Sequence, residues 1–348
     1  MHTSHFSPGQ AARLITLVVF NFAAALGAFA QTAPGKDAQP RGPSESTKKV
    51  LFFSKSSNFE HSVIKRVNGQ PSWAEQILAE QGPRRGIEFV FSKDGSLFTP
   101  EYLAQFDAFM FYTSGELTAA GKDGNPAMTQ AGKAALLDAI KSGKGFVGVH
   151  SAADTFHTGE TAATNTSQAR TWRYTVNGEK ADPYIRMLGG ELIVHGTQQI
   201  ARSRVVDPGF PGFSYLGESF QMMEEWYSLT DFSPDLHVLL VVDTASMRDP
   251  NAGPDWPPPG GYTPYQRPPY PSTWARMHGE GRVFFTAIGH REDTWSNPVY
   301  HEMLFGGLAW ALRRVDAAVT PNLKQVTPGA YELPPVSAPV GGLPPKKK

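Results

Sequence analysis

"GKGFVGVHSAADTF", residues 143–156, is an apolar strand that runs directly into polar residues. Its apolar part, 146–149, is short and unbroken, which is typical of a strand buried on both faces of a parallel sheet. His150, Ser151 and Asp154 follow at once. Ligands of open parallel sheets bind beyond the carboxyl ends of the strands. The stretch therefore indicates either a nucleophile or a ligand pocket at the sheet edge, unless these residues only cap a turn.

The chain around this stretch alternates between strand and helix patterns. Apolar runs predict strands and capped or amphipathic segments predict helices. Their order is strand 49–54, helical pieces over 62–82 with a break at Pro71, strand 87–92, helix 99–106, strand 107–114 and helix 129–145. This alternation predicts an α/β fold with a mostly parallel sheet and helices on both faces. Further on, long loop insertions at 158–180 and 251–271 separate additional strands, and a helix at 297–314 closes the domain.

Composition excludes several classes of protein. Lys plus Arg and Asp plus Glu number 32 each, so the formal net charge is zero. A general nucleic-acid-binding protein normally needs a basic surface, and we therefore expect no nucleic-acid partner. The chain has no cysteine, which excludes a cysteine nucleophile, a thiolate metal site and any disulfide.

The N-terminus has the features of an export signal. The apolar run 14–29 is short for a membrane span, and Ala-Phe-Ala at 28–30 fits a signal-peptidase cleavage site. Residues 1–30 are therefore predicted to be a signal peptide, with an uncleaved membrane anchor as the alternative. We expect the mature protein to be periplasmic or secreted, without stable membrane association after cleavage.

Proline-rich segments mark the ends of the folded domain. Residues 31–48 are polar and Pro-rich, and are predicted to be a disordered linker. Residues 316–348 are Pro-rich, end in lysines and are predicted to be a loose C-terminal tail. The α/β domain is accordingly predicted to span 49–315.

Histidines recur at the ends of predicted strands. Three apolar runs lead into His150, His195 and His290, and His61 lies in the loop after the first strand. Neighbouring strand ends in one sheet would bring these imidazoles together at the ligand-binding edge. The alternative is that each histidine only caps its strand or donates a hydrogen bond to a loop carbonyl.

Two further motifs carry acidic and aromatic residues. The stretch "QMMEEWYSL", residues 221–229, contains the pair Glu224 and Glu225 followed by an aromatic pair. In a strand the two glutamates would point to opposite faces, so only one of them can join a site. Trp295 follows the polar residues after the strand that leads to His290, and a Trp in such a position can stack on a sugar or pack under the closing helix.

Four motifs together resemble the ThuA-like (trehalose-utilisation) family. They are "FVGVHSAADTF" (146–156), "LGGELIVHG" (188–196), "EEWYSL" (224–229) and "GRVFFTAIGHREDTW" (281–295), and the resemblance extends over roughly residues 49–315. It implies the fold of class I glutamine amidotransferases, which is flavodoxin-like. Their nucleophile elbow places a cysteine at the position of His150, so amidotransferase chemistry is not implied here.

The resemblance also implies a set of site residues. His150, Glu225 and His290 match the family's motifs and are predicted to be catalytic, whereas His195 departs from the pattern because it precedes its glycine. The substrate-binding residues predicted with them are His61, Ser151, Asp154, His195, Trp226, Tyr227 and Trp295. The family is linked to disaccharide and keto-sugar metabolism, which implies a small-molecule carbohydrate as the substrate.

Three functions fit these observations. The first is an exported enzyme that acts on a glycoside or keto-sugar and uses imidazole and carboxylate as acid and base. A divalent metal held by His and Glu could polarise a keto group, although the chain has no closely spaced metal motif. The second is a non-catalytic carbohydrate-binding protein on the same scaffold. The third is a serine hydrolase with Ser151 as its nucleophile, although Ser151 lies one residue beyond the elbow position.

Overall fold

A nine-stranded sheet lies at the centre of the structure, a computed structural model that describes residues 46–159, 171–247 and 264–335. These residues belong to one compact unit, Glu45–Lys348. The predicted signal peptide, all but the last three residues of the predicted linker, residues 160–170 of the first long loop and residues 251–263 of the second lie outside the described residues.

The strands follow the sequence pattern closely in the first half of the chain. They are β1 (Lys48–Phe53), β2 (Ile87–Ser92), β3 (Ala108–Phe111), β4 (Gly145–Val149), β5 (Glu191–His195), β6 (Gln199–Val205), β7 (Ser219–Glu224), β8 (Tyr227–Thr230), β9 (His237–Asp243), β10 (Tyr270–His278) and β11 (Gly281–Thr286). The large sheet has the order β2-β1-β3-β4-β11-β10-β9-β6-β7. From β2 to β11 every neighbouring pair is parallel. The predicted fold class, an α/β fold with a parallel sheet, is confirmed.

Antiparallel strands extend this parallel region on one side. β10 returns beside β11, and β9, β6 and β7 continue the sheet in antiparallel pairs. β5 does not enter this sheet, because it pairs with β8 in a separate two-stranded sheet. The expectation that His195 ends a strand of the main sheet is therefore wrong. An apolar run such as 191–194 is as compatible with a strand of a small buried two-stranded sheet as with a strand of a large sheet. The sequence alone does not distinguish the two.

Helices cover both faces of the sheet. They are α1 (Trp73–Arg84), α2 (Pro100–Ala104), α3 (Gln130–Lys141), α4 (Pro183–Leu188), α5 (Glu292–Trp295), α6 (Pro298–Ala311) and α7 (Leu323–Val326). Successive residues of a strand point to opposite faces. Phe284 of β11 accordingly meets Gly307 of α6, whereas Phe285 packs against Trp274 near Leu188 of α4. None of the described helices is long and apolar enough to span a membrane.

The predicted tail is folded in the part that the structure describes. Leu323 and Ala330 are buried, and the side chain of Asn322 hydrogen-bonds both backbone groups of Val238. Arg267 also donates to the carbonyl of Ala330 at 2.6 Å. The expectation of a loose tail is thus wrong for residues 316–335, because specific hydrogen bonds and the short helix α7 hold this Pro-rich segment on the domain. Residues 336–348 lie outside the described residues.

The closing helix α6 can approach the rest of the domain only because it carries two adjacent glycines. A Cβ placed on Gly306 would lie 2.1 Å from the carbonyl oxygen of Pro211, which is a backbone atom. Contacts this short force backbone shifts, since the loop cannot move away like a flexible side chain.

Gly306→Ala should therefore destabilise the domain by about 1–3 kcal/mol, the usual effect of overpacking. Denaturant unfolding of the purified variant measures this change. Ala309→Ser, at a half-buried position of the same helix, serves as the control and should change stability little. If the close approach did not exist, Gly306→Ala would stabilise the helix, because alanine is a better helix former than glycine by about 1 kcal/mol.

Candidate functional site

His150 occupies a strained turn directly after β4. Its φ is 45°, which lies in the left-handed region that residues other than glycine seldom adopt. The turn aims the buried imidazole across the sheet edge, where Nδ1 lies 2.7 Å from the carbonyl oxygen of Ala287. A carbonyl only accepts, so Nδ1 carries the proton in this contact and Nε2 of the neutral ring presents a lone pair.

His290 reaches the same edge from the end of β11. The preceding residue, Gly289, has a φ of 136°, and its carbonyl accepts hydrogen bonds from the Tyr112 hydroxyl and the Trp295 indole. The buried carboxylate of Glu224 accepts hydrogen bonds from the amides of Gly289 and His290 at 2.8 and 3.0 Å. These contacts fix the backbone, so the imidazole of His290 projects toward His150.

Glu225 links the histidines to one another. Its carboxylate lies 3.2 Å from Nδ1 of His290, 3.5 Å from Nε2 of His150 and 3.4 Å from Nδ1 of His195. Its own amide donates to Glu224 at 2.8 Å. The prediction that only one of the two glutamates joins the site agrees with this arrangement, in which the other holds the backbone.

A third buried imidazole, His61, completes the group. Its ring centre lies 5.0 Å from that of His150 and 5.1 Å from that of His290, and the latter two lie 5.2 Å apart. His61, His150, Glu225 and His290 each offer one ligand atom, and these four atoms lie within 4.8 Å of one another. We call these four residues the histidine–glutamate cluster. Nδ1 of His61 is buried and makes no hydrogen bond with the described residues.

Burial and mutual contact distribute charge unequally within the cluster. Burial, followed by the neighbouring His150 and His290, lowers the pKa of His61 well below its ordinary value. Burial also opposes ionisation of Glu225 and His290, but their contact outweighs it. The neighbouring imidazoles of His150 and His290 hold the pKa of Glu225 well below its usual range, and the hydrogen bond to Glu225 raises the pKa of His290. Without a bound ion, the cluster thus favours a negative Glu225 and a positive charge at His290 rather than at His61.

The cluster opens to solvent on one side. The side chains of Glu225 and His290 are 13% and 16% exposed, and that of His195 is 38% exposed. Tyr227 forms part of the wall, because its ring centre lies 4.1 Å from that of His150 and 5.7 Å from that of His195. The structure therefore brings His195 to the mouth of the site although its strand belongs to another sheet.

Two predicted binding residues lie below the site instead of lining it. Trp226 and Trp295 are buried, and each indole donates to a backbone carbonyl, that of Gln199 or of Gly289. Trp295 also packs on Tyr112 with a ring separation of 6.3 Å. The prediction that both tryptophans bind the substrate is wrong for these buried side chains. Of the two alternatives for Trp295, the structure has the packing under the closing helix, where its ring centre lies 5.6 Å from that of Tyr300.

Ser151 does not have the surroundings of a nucleophile. Its hydroxyl is buried and makes no hydrogen bond with the described residues. The imidazole of the adjacent His150 is directed to Ala287 and the cluster. A serine nucleophile needs a base within hydrogen-bonding reach, and none of the described residues supplies one.

Asp154 belongs to a second buried polar group next to the cluster. It lies 2.6 Å from Nε2 of His157 and 3.0 Å from Arg173, and the other nitrogen of His157 lies 2.6 Å from Glu191. Burial and Arg173 lower the pKa of His157, but hydrogen bonds to Asp154 and Glu191 outweigh them and raise it. This ion-pair network anchors the start of the 158–180 insertion beside the site.

Sequence reasoning did not identify all the residues that build the site. Tyr112 supports the Gly289 carbonyl, and its place just after β3 at the same sheet edge is the signal that could have found it. The structural role of Glu224 could have been suspected from the Glu-Glu pair. The ion pairs of His157 and Arg173 depend on tertiary contacts and have no sequence signal.

Comparisons with known proteins identify the fold. The family model described as "ThuA: Trehalose utilisation" matches residues 49–311. A putative ThuA-like protein from Bacteroides uniformis ATCC 8492 has a similar structure, with 18% identity, a TM-score of 0.54, and coverage of 82% of this chain and 99% of that chain. Another, from Parabacteroides merdae ATCC 43184, is 15% identical with a TM-score of 0.47, covering 83% of this chain and 96% of that one. A comparison with curated proteins gave no match.

Glu224→Gln should destabilise the turn that carries Gly289 and His290. One oxygen of Glu224 accepts hydrogen bonds from Gly289, His290 and Thr294 and the other from Glu225, and an amide group would face one of these donors with a donor of its own. We expect a loss of about 1–3 kcal/mol in the free energy of unfolding.

Denaturant unfolding measures this loss for Glu224→Gln. Glu218→Gln, at an exposed position near the start of the same strand, is the control. Equal stability of the two variants would show that the Glu224 carboxylate does not hold the turn.

Proposed function

The chain belongs to the ThuA family, described as trehalose utilisation, and on that premise we propose that it is an enzyme that acts on a keto-sugar or glycoside at the histidine–glutamate cluster. The observation that carries the proposal is the combination of three imidazoles with one free carboxylate in a partly open, buried site. His150, Glu225 and His290 supply its reactive groups.

The histidine–glutamate cluster contains a single carboxylate, which favours a keto-sugar over a simple glycoside as the substrate. Most glycosidases place two carboxyl groups about 5–9.5 Å apart, one as acid and the other as nucleophile or base. Here Glu225 is the one carboxylate that the described cluster contains, because Glu224 accepts backbone hydrogen bonds and Asp154 is paired with His157 and Arg173. Imidazoles suit proton transfer next to a carbonyl, since they exchange protons near neutral pH.

The proposal gives each reactive group a role that its contacts support. Nε2 of His150 presents a lone pair and can take a proton from the carbon beside a keto group. The electron pair then moves to the carbonyl oxygen, which His290 can protonate, and Glu225 holds the ring of His290. If the deprotonated carbon bears a hydroxyl group, that hydroxyl returns its proton to His290 and becomes the new carbonyl, while His150 gives its proton to the former carbonyl carbon, which is an isomerisation. If the next carbon bears the glycosidic oxygen, the enol returns its proton to His290 as the carbonyl re-forms, a carbon–carbon double bond forms, and the glycosidic oxygen leaves with the proton that His150 accepted, which is an elimination.

The other two functions have less support. A carbohydrate-binding protein would use exposed aromatic faces, but Trp226 and Trp295 are buried. A serine hydrolase would need a base at Ser151, and the described residues provide none. The proposed partner is therefore a small carbohydrate, and the neutral overall charge gives no reason to expect nucleic acid.

We also propose that the protein is exported. The support is the apolar run 14–29 followed by the cleavage pattern at 28–30, both outside the described residues. N-terminal sequencing of the mature protein should start at Gln31, in the periplasmic or secreted fraction. Recovery of the intact N-terminus in membranes would contradict export as a free protein.

Loss of either central imidazole should abolish turnover and leave the fold in place. A screen of keto-disaccharides against the corresponding plain disaccharides should find activity on the former, and His150→Ala and His290→Ala should each reduce kcat/KM by about 100-fold or more. Circular dichroism checks that each variant is folded.

His278→Ala, at the tip of the β10–β11 hairpin, is the matched control and should keep wild-type activity. Unchanged turnover in both cluster variants would contradict the proposal. Sugar binding without turnover in the wild-type protein would favour the carbohydrate-binding alternative.

A further inference from the structure

We propose that His61, His150, Glu225 and His290 bind one divalent transition-metal ion such as Zn²⁺. The proposal deepens the proposed function, and rests on it only for the use to which the ion is put. Binding itself is argued from geometry and from the hydrogen bonds around the cluster.

Three of the ligand atoms already have the spacing of a coordination site. Nε2 of His150, Nδ1 of His290 and one oxygen of Glu225 form a triangle with sides of 3.2, 3.3 and 3.5 Å. Ligands around a tetrahedral Zn²⁺ ion, with bonds of about 2.0–2.2 Å, lie about 3.3–3.6 Å apart. The triangle therefore has the size of one face of a tetrahedral site.

The outer contacts are those that metal ligands usually make. A ligating histidine generally donates its second N–H to a carbonyl or carboxylate, which fixes the ring and its tautomer. Nδ1 of His150 makes this contact with the carbonyl of Ala287. The second oxygen of Glu225 lies 3.4 Å from Nδ1 of His195. Two of the four ligands, His150 and Glu225, thus already have the outer partner that orients them.

His61 provides a second, independent observation that favours a ligand at this site. This imidazole is 2% exposed, and its Nδ1 has no hydrogen-bond partner among the described residues. A buried polar nitrogen without a partner is unfavourable by about 1–3 kcal/mol. Because one of its ring nitrogens lies within 4.8 Å of the other three ligand atoms, we place His61 as the fourth ligand.

The donor set indicates the class of metal. Imidazole nitrogens suit Zn²⁺, Fe²⁺, Co²⁺ and Ni²⁺, whereas Ca²⁺ and Mg²⁺ prefer sites made of oxygen atoms. Three nitrogens and one carboxylate therefore favour a transition metal. The partial exposure of Glu225 and His290 leaves a side from which a substrate oxygen can approach.

A bound ion would change how the proposed reaction is divided among the residues. The ion would polarise the keto oxygen in place of proton donation by His290. His150 and His290 would then be occupied as ligands. His195, at the mouth of the site and in contact with Glu225, would be the remaining imidazole able to accept the proton.

Metal titration of the untagged, full-length protein tests the proposal. After removal of metals with a chelator and dialysis, Zn²⁺ and Co²⁺ should each bind at one ion per chain, and bound Co²⁺ should give a visible absorption spectrum. His150→Ala and Glu225→Gln should weaken binding by more than about 100-fold. His195→Ala should weaken it by about 10–100-fold, the usual effect of removing an outer partner.

Glu225→Gln keeps the shape of the side chain, so it tests the ligand role even if His150→Ala is unstable, and His278→Ala should bind like the wild type. Lack of saturable binding, or equal affinity in the wild type and Glu225→Gln, would overturn the metal site. If turnover of a keto-sugar were unaffected by chelation yet lost in His150→Ala, the proposed function would stand and the metal would not. Metal binding without any carbohydrate turnover would support the metal site and contradict the function.

Discussion

The parallel pairing of β4 with β11 is the constraint on which the site depends. Val149 pairs with Thr286 at the last position of both strands, so the two chains leave the sheet side by side. One turns at once through the left-handed conformation of His150, and the other continues to His290. The hydrogen bond from Nδ1 of His150 to the carbonyl of Ala287 then joins the two exits. Every other contact in the histidine–glutamate cluster relies on this shared edge.

The buried polar side chains at this sheet edge lower the stability of the fold unless they are paired. Burying imidazoles and carboxylates is unfavourable unless each polar atom is paired. Glu224 meets that requirement, because both of its oxygens accept hydrogen bonds. The Asp154–His157–Glu191 network meets it only in part, since both nitrogens of His157 are paired but one oxygen of Glu191 makes no hydrogen bond with the described residues. The histidine–glutamate cluster does not meet it, because Nδ1 of His61 makes no hydrogen bond with the described residues. Local strain and unsatisfied groups of this kind concentrate at functional sites, where the surrounding structure holds them in place.

The sequence predicted those features that depend on local pattern and strand direction. Alternating strands and helices gave the parallel sheet, and histidines at strand ends gave the meeting of His150 with His290. Features that depend on packing were not predictable in this way. A tryptophan beside polar residues can lie in a pocket wall or beneath it, and the burial of Trp226 and Trp295 is decided by tertiary contacts. For the same reason, β5 could not be assigned to its own small sheet, and the folded part of the tail could not be distinguished from a loose one.

The structure of the full-length protein in complex with a keto-disaccharide tests most directly the claim that the cluster is the reaction centre. We expect the sugar to enter beside His195, with its carbonyl oxygen directed into the cluster and within about 3.5 Å of an imidazole, Glu225 or a bound ion. Sugar bound elsewhere on the protein, with His61, His150, Glu225 and His290 out of its reach, would show that the cluster is not the reaction centre.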